Sequence, residues 1–300
     1  MSTTPAACDV VFYHQWMEAH PLAPSLSPAA NAVHPAFMTR IAVAFARRHA
    51  PGGRVCIVTD DPARFGGGFA DVVFEQRPAV DPGAVALDRA RAYRDFVAAR
   101  VGTPGGALFI DTDALVLRDP APLFAGGFDV ALTYQQGSVA TRPEALDHWG
   151  LPTDGRLSAI NGGVMAARYT PAAVAFHDAT LARFAAIVAE GERFLDHGRN
   201  TFKVVGREDA AGAHRIADVR IWGGHQFALT SLLSDALFGE FHAESMVGDA
   251  HVLLLPDDAW NYSPPPGRLG MDMLDGRWIL HLKGTRKTQL APIAAWFGIG

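Results

Sequence analysis

Asp111 and Asp113 interrupt an apolar run, ALFIDTDALVLRDP from Ala107 to Pro120, and two carboxylates at that point demand a physical reason. Left buried and unpaired, each costs on the order of several kcal/mol. In an extended strand, residues two apart share a face, so the two acids converge while Thr112 points away. Open α/β sheets gather their ligands at the carboxyl ends of strands. Two convergent carboxylates there suit a hard divalent cation, Mg²⁺ or Mn²⁺, with water and phosphate oxygens completing its shell. A solvated turn is the plain alternative, and the pair by itself does not decide between them.

The elements that position this pair are legible as alternating patterns. VVFY (Val10 to Tyr13) reads as a buried strand, RVCIVTD as a second ending in Asp60, and ADVVFEQ as a third. A Pro- and Ser-containing loop, PLAPSLSPAAN, leads into a helix predicted from about His34 to His49. AVALDRARAYRDFVAARV has helical spacing and precedes the acidic pair, and FDVALTYQ is a further strand. The alternation predicts an α/β layer structure with a largely parallel sheet. Beyond it, AINGGVMAARY is a short strand-like piece. Thr170 and Pro171 open a helix expected to run to about Leu195, and WGGHQFALTSLL is a helix entered through glycines. HVLLLP, WNYSPPP and WILHLKGTRK follow. No linker stands out, so a single domain over 1–300 is expected, with two functional halves at about 8–135 and about 136–300.

Bulk properties narrow the classes. A chain of 300 residues with 49% hydrophobic content can bury a substantial core. A formal net charge of −5 and the lack of a long basic run argue against a nucleic-acid partner. The apolar runs read as too short to span a bilayer, and MSTTPAACDVVF lacks the charged and apolar regions of a secretory signal, so a cytoplasmic location is expected. Cys8 and Cys56 are read as two buried thiols, with no zinc-type pair. The apolar tail LAPIAAWFGIG is poor in Lys and Arg, and it is expected to pack onto the body instead of touching a membrane.

Five separated motifs, in order, resemble the GT-A-fold glycosyltransferases of the family 8-like, sugar-nucleotide-dependent type. ALFIDTDALVLRDP is similar to their LYLDxDxxV segment, and Arg94 in AYRDFVAARVG matches an arginine upstream of it. INGGVM is similar to FNxGV, with Asn161 at the asparagine. GHQFAL places Gln226 at the glutamine of an Asp-Gln pair, and HLKGTRK reproduces HxxGxxK with His281, Gly284 and Lys287. The resemblance implies a GT-A fold, a Rossmann-like, mostly parallel sheet flanked by helices. It implies a Mn²⁺ (or Mg²⁺) ion held by Asp111, Asp113 and His281, with Lys287 and Gly284 at the donor diphosphate and Arg94 gripping the donor or positioning the acids. Gln226 and Asn161 would lie near the sugar and reacting carbon, and Tyr13, His14 and Asp60 along the nucleoside. The activity implied is transfer of a hexose from a UDP-sugar to a hydroxyl of a saccharide, glycolipid or surface glycan, with retention.

The chain departs from the pattern at His225, where the family has an acid, and at Thr288 and Gln289, where it often has proline and tryptophan. His225 is assigned provisionally to sugar hydroxyls, and Trp260 to an aromatic acceptor platform or a packed loop. Two alternatives stay open. One is a catalytically silent sugar-nucleotide-binding protein. The other is a haloacid-dehalogenase-like phosphatase using Asp111 as nucleophile, although its motif belongs near the chain start and MVGDA, with Asp249, is a poor match to its acidic partner.

Overall fold

The computed structural model describes residues 8–16, 33–78, 84–139, 143–152, 159–189 and 223–299. The loop PLAPSLSPAAN and the last turn of the helix expected to reach Leu195 lie outside them. Valine-rich β1 (Cys8–His14), β2 (Val55–Thr59), β3 (Val72–Gln76) and β4 (Gly106–Ile110) pair in parallel in the order β3-β2-β1-β4. Helix α1 (Pro35–His49) makes the first crossover. It starts where sequence rules place it: Pro35 opens the helix and the His34 ring accepts from the Ala36 N–H. Helix α2 (Val85–Ala98) returns the chain to β4 on the opposite side of β1. The strand order therefore reverses between β1 and β4, which leaves a crevice at their carboxyl ends.

Beyond β4 the sheet continues as β4-β7-β6-β9-β8 among the described residues. Strands β6 (Val130–Tyr134) and β9 (Ala250–Pro256) keep the direction of β4, whereas β7 (Ile160–Arg168) and β8 (Glu244–Val247) run against it. The sheet is mostly parallel, as expected, with two reversed strands. AINGGVMAARY, read as a short piece, is a nine-residue strand at the centre of the sheet. Its reversal carries the INGG end of β7 beside the carboxyl end of β4, where Ile110 pairs Val164 and the Asp111 N–H donates to the Gly163 carbonyl.

Helices cover both faces. One face packs on α1 and on the C-terminal segment; the other packs on α2, α3 (Pro171–Ala189) and α4 (Gly224–Leu232). Against the expectation from the sequence, α3 is long and apolar enough to cross a membrane. In this fold it lies against α2 and α4, with Phe176, Phe184 and Ile187 buried. The tail forms α5 (Leu290–Trp296), which buries Leu290 and Ile293, and Phe297 meets Phe45 of α1 at 5.0 Å. Cys8 and Cys56 are free and buried.

A second, two-stranded antiparallel ladder matters most for chemistry. β5 (Ala114–Val116), just past the acidic pair, pairs β10 (Ile279–His281) so that His281 stands opposite Ala114. The Leu282 N–H donates to the Asp113 carbonyl at 2.9 Å, and the ladder thereby fastens the late histidine to the mid-chain acids.

Candidate functional site

Asp111, Asp113 and His281 each offer a ligand atom within 4.8 Å of the others. His281 Nε2 lies 3.1 Å from Asp113 Oδ1 and 3.6 Å from Asp111 Oδ2. The other ring nitrogen, Nδ1, is 2.7 Å from Asn261 Oδ1, so Nε2 is the one aimed at the carboxylates. Asp113 and His281 are buried, and Asp111 is half-exposed toward the crevice.

Cations bracket the two acids. Lys287 Nζ sits 3.1 Å from Asp113 Oδ2, and Arg89 Nη1 sits 2.9 Å from Asp111 Oδ1. Burial would raise the Asp113 carboxyl, but His281 and then Lys287 outweigh it and hold the group well below the usual carboxylate range. A third cation, Lys283, is half-buried, feels the negative charge of Asp111, then Asp257 and Asp113, and forms an ion pair with none of the described residues. Desolvation pulls it below the ordinary lysine range. Counting charges, three carboxylates (Asp111, Asp113 and Asp257) balance Arg89, Lys287 and Lys283, so a divalent cation added to the site would leave it net positive and complementary to a diphosphate.

The expectation for Arg94 is corrected. Its guanidinium pairs with Asp178 at 2.9 Å and with Asp95 at 3.3 Å, on the exposed side of α2. At 3.6 residues per turn, five positions swing a side chain about 140° around the axis, so Arg89 faces the acids while Arg94 faces solvent. Arg89 was readable in principle: it borders the face of α2 on which Ala86, Ala90, Tyr93 and Val97 are buried.

Asn161 and Gln226 flank the glycines of β7. Asn161 Oδ1 accepts from the Gly163 N–H at 3.2 Å, Gln226 Oε1 accepts from the Gly162 N–H at 3.3 Å, and the buried Asn161 Nδ2 has no partner among the described residues. Gly284 has a positive φ of 60°, a conformation natural to glycine, and opens the turn that carries Lys287. At the ends of β1 and β2, the Tyr13 hydroxyl donates to Asp88 at 2.7 Å and Asp60 accepts from the Trp16 N–H at 3.0 Å. His14 packs edge-on against Trp16 and Phe65, and burial pushes its imidazole down to about 4.

The expectation for His225 is corrected, and of the two readings of Trp260 the packed loop is the one observed. His225 is 1% exposed beneath the site, with its ring 6.5 Å from that of Tyr93, and it does not line the crevice. Trp260 is stacked on Trp278 at 4.5 Å with an interplanar angle of 5°; it is a packed ring, not an open platform. Asn261, the neighbour of Trp260 that holds His281, had no signal in the sequence because no local pattern distinguishes it.

Among solved structures, the chain is similar to the galactosyltransferase LgtC in complex with donor and acceptor sugar analogs, at 13% identity and a TM-score of 0.47 over 97% of this chain and 100% of that one. It is also similar to the glycosyltransferase GlyE of Streptococcus pneumoniae TIGR4, at 14% identity and a TM-score of 0.44 over 91% of this chain and 54% of that one. No family model and no curated protein matches the chain.

The residues present fit a divalent cation on the site's own geometry. Two carboxylates and an imidazole form the donor set, and an imidazole beside two acids moves the preference from Mg²⁺ toward Mn²⁺. Backbone shape agrees. A Cβ added at Gly163 would lie 2.3 Å from His281 Cε1 and 3.0 Å from Asp111 Oδ2, so only glycine lets β7 approach this closely. Gly163→Ala is therefore expected to push His281 out of line. Overpacking of about 1–3 kcal/mol corresponds to a loss of about ten- to hundredfold in Mn²⁺ affinity, checked by calorimetric titration of the folded variant.

Proposed function

We propose that this chain is a metal-dependent glycosyltransferase that moves a hexose from a UDP-sugar to an acceptor hydroxyl of a saccharide, glycolipid or surface glycan, with retention at the anomeric carbon. The observation that carries the reading is the convergence of Asp111, Asp113 and His281, bracketed by Lys287 and Arg89, at the carboxyl end of β4. A divalent cation held there would neutralise charge growing on a departing diphosphate. Lys287, already 3.1 Å from Asp113, supplies a fixed positive charge to the same phosphates. Arg89 holds Asp111 in place. Asn161 Nδ2, buried and without a partner among the described residues, offers a donor for a substrate oxygen beside the Gly162–Gly163 backbone. Gln226 stands on the same backbone, and support for retention comes from these two amides occupying the place next to the metal set.

A phosphatase reading loses its second acid. Asp249 lies in the β8–β9 hairpin turn, at the amino edge of β9, whereas Asp111 is at the carboxyl edge of β4.

Incubating the protein with a panel of nucleotide sugars and Mn²⁺, with proton NMR of the released sugar, tests the proposal. The expected result is Mn²⁺-dependent release of one hexose from its UDP conjugate, first seen as the anomer the donor carried. Tight UDP binding with no release would make the protein a silent binder. Neither binding nor release with any uridine diphosphate derivative would end the proposal.

A further inference from the structure

The buried wall behind the metal set contains a hydrogen-bond relay that ends on His281. Thr133 Oγ1 lies 2.9 Å from the Asn161 carbonyl and 3.3 Å from the Val164 carbonyl. Both are acceptors, so the hydroxyl proton is used on them and Oγ1 retains only lone pairs for its third neighbour. That neighbour is Asn261 Nδ2 at 2.8 Å, which must donate. The amide orientation of Asn261 is then decided, because its Nδ2 faces Thr133 and its Oδ1 faces His281 Nδ1 at 2.7 Å. An amide oxygen only accepts, so Nδ1 carries a proton and Nε2 is the ring nitrogen left to meet the carboxylates or a cation.

Two features of the fold serve this relay. The β6–β7 register shifts between Leu132 and Thr133, and an irregularity of this kind re-aims the following side chain. The His281 N–H donates to the Tyr262 carbonyl at 2.8 Å, which tethers Asn261 beside the ring. Thr133, Asn261 and His281 are all buried. The arrangement is therefore over-determined at a place where an unmade hydrogen bond costs about 1–3 kcal/mol.

We infer that Asn261, oriented by Thr133, is a positioning residue that fixes the tautomer and ring angle of His281 and so makes Nε2 available as a metal ligand. The inference rests on the metal-site reading above. It also connects the His281 ring to the backbone of Asn161, so the metal side and the sugar side of the site share one rigid wall.

Nitrogen-15 NMR of the histidine rings in the metal-free, full-length chain, recorded above the ordinary histidine range, tests it without requiring catalysis. A slowly exchanging proton on His281 Nδ1 is expected, and a ring whose Nδ1 carries no proton overturns the inference. Calorimetry with Mn²⁺ alone supplies the second arm. Asn261→Leu is expected to lower Mn²⁺ affinity about ten- to hundredfold, as loss of a partner behind a ligating histidine does. Asn261→Asp, which still accepts from Nδ1, should keep most of it. Thr133→Val, which releases the amide to flip, should fall between them. Folded Asn261→Leu protein with wild-type Mn²⁺ affinity would overturn the inference. A wild-type chain that shows the Nδ1 proton but binds no Mn²⁺ would sink the metal reading instead and leave the tautomer assignment standing.

Discussion

Asp113→Ala is expected to abolish Mn²⁺-dependent transfer, because this one carboxylate has both of its oxygens in use at the site. Oδ1 meets His281 Nε2 at 3.1 Å and Oδ2 meets Lys287 Nζ at 3.1 Å. Removing it deletes one of three candidate ligands and leaves an imidazole and an ammonium facing each other with no anion between them. If the bound cation supplies about 4 kcal/mol of charge stabilisation when the diphosphate departs, its loss lowers kcat/KM about a thousandfold. UDP affinity measured with and without chelator is the companion readout. It should be strongly chelator-sensitive in the wild type and weak and chelator-insensitive in the variant. The fold should persist, since Lys287 is carried on a short turn at the rim and can swing to water. Asp113→Asn, which keeps the shape and loses the charge, separates packing from electrostatics. Unchanged UDP affinity in Asp113→Ala, indifferent to chelator, would contradict the metal role.

The parts of this site that could be read from the sequence are those governed by local rules. Period-two alternation puts Asp111 and Asp113 on one side of a strand end, and a proline after a polar residue marks the start of α1. Parts that depend on long-range geometry were not readable in the same way. A three-residue ladder between β5 and β10 carries too little pattern to announce itself, although it brings Asp113 and His281 together across 168 positions. The direction of β7 is invisible in its apolar composition, yet reversal is what sets Asn161 and Gly163 beside Asp111. Motif spacing points to Arg94, whereas helical periodicity selects Arg89. His225 stands where the resemblance has an acid, which points to a sugar contact; entry into α4 beneath the sheet turns it inward instead. Trp260 illustrates the opposite ambiguity, since an aromatic ring carries the same sequence signal whether it stacks on substrate or on Trp278.

The inward histidines carry the second large expectation: stability should fall steeply in mild acid, before most carboxylates titrate. His177 and His225 are each 1% exposed, in the layer between the sheet and helices α2, α3 and α4. His177 Nε2 and both ring nitrogens of His225 find no hydrogen-bond partner among the described residues. Burial pushes His177 down to about 4, and burial with the Arg89 guanidinium and His177 nearby pushes His225 well below the ordinary range. A histidine depressed in the native state is neutral there while its unfolded counterpart takes up a proton near 6.5, so in that window the unfolded chain binds more protons and stability falls as pH falls. Above about 6.5 the contribution is complete. Below it, His177 alone loses on the order of 3 kcal/mol by the time its own folded value is reached, and His225 adds to the slope. His14, pushed down by burial as well, adds to the same slope. Urea unfolding at a series of pH values measures this directly, and His177→Leu should remove about one proton from the slope. A curve that stays flat between the ordinary histidine range and the carboxylate range would show that these rings are hydrated or paired in solution.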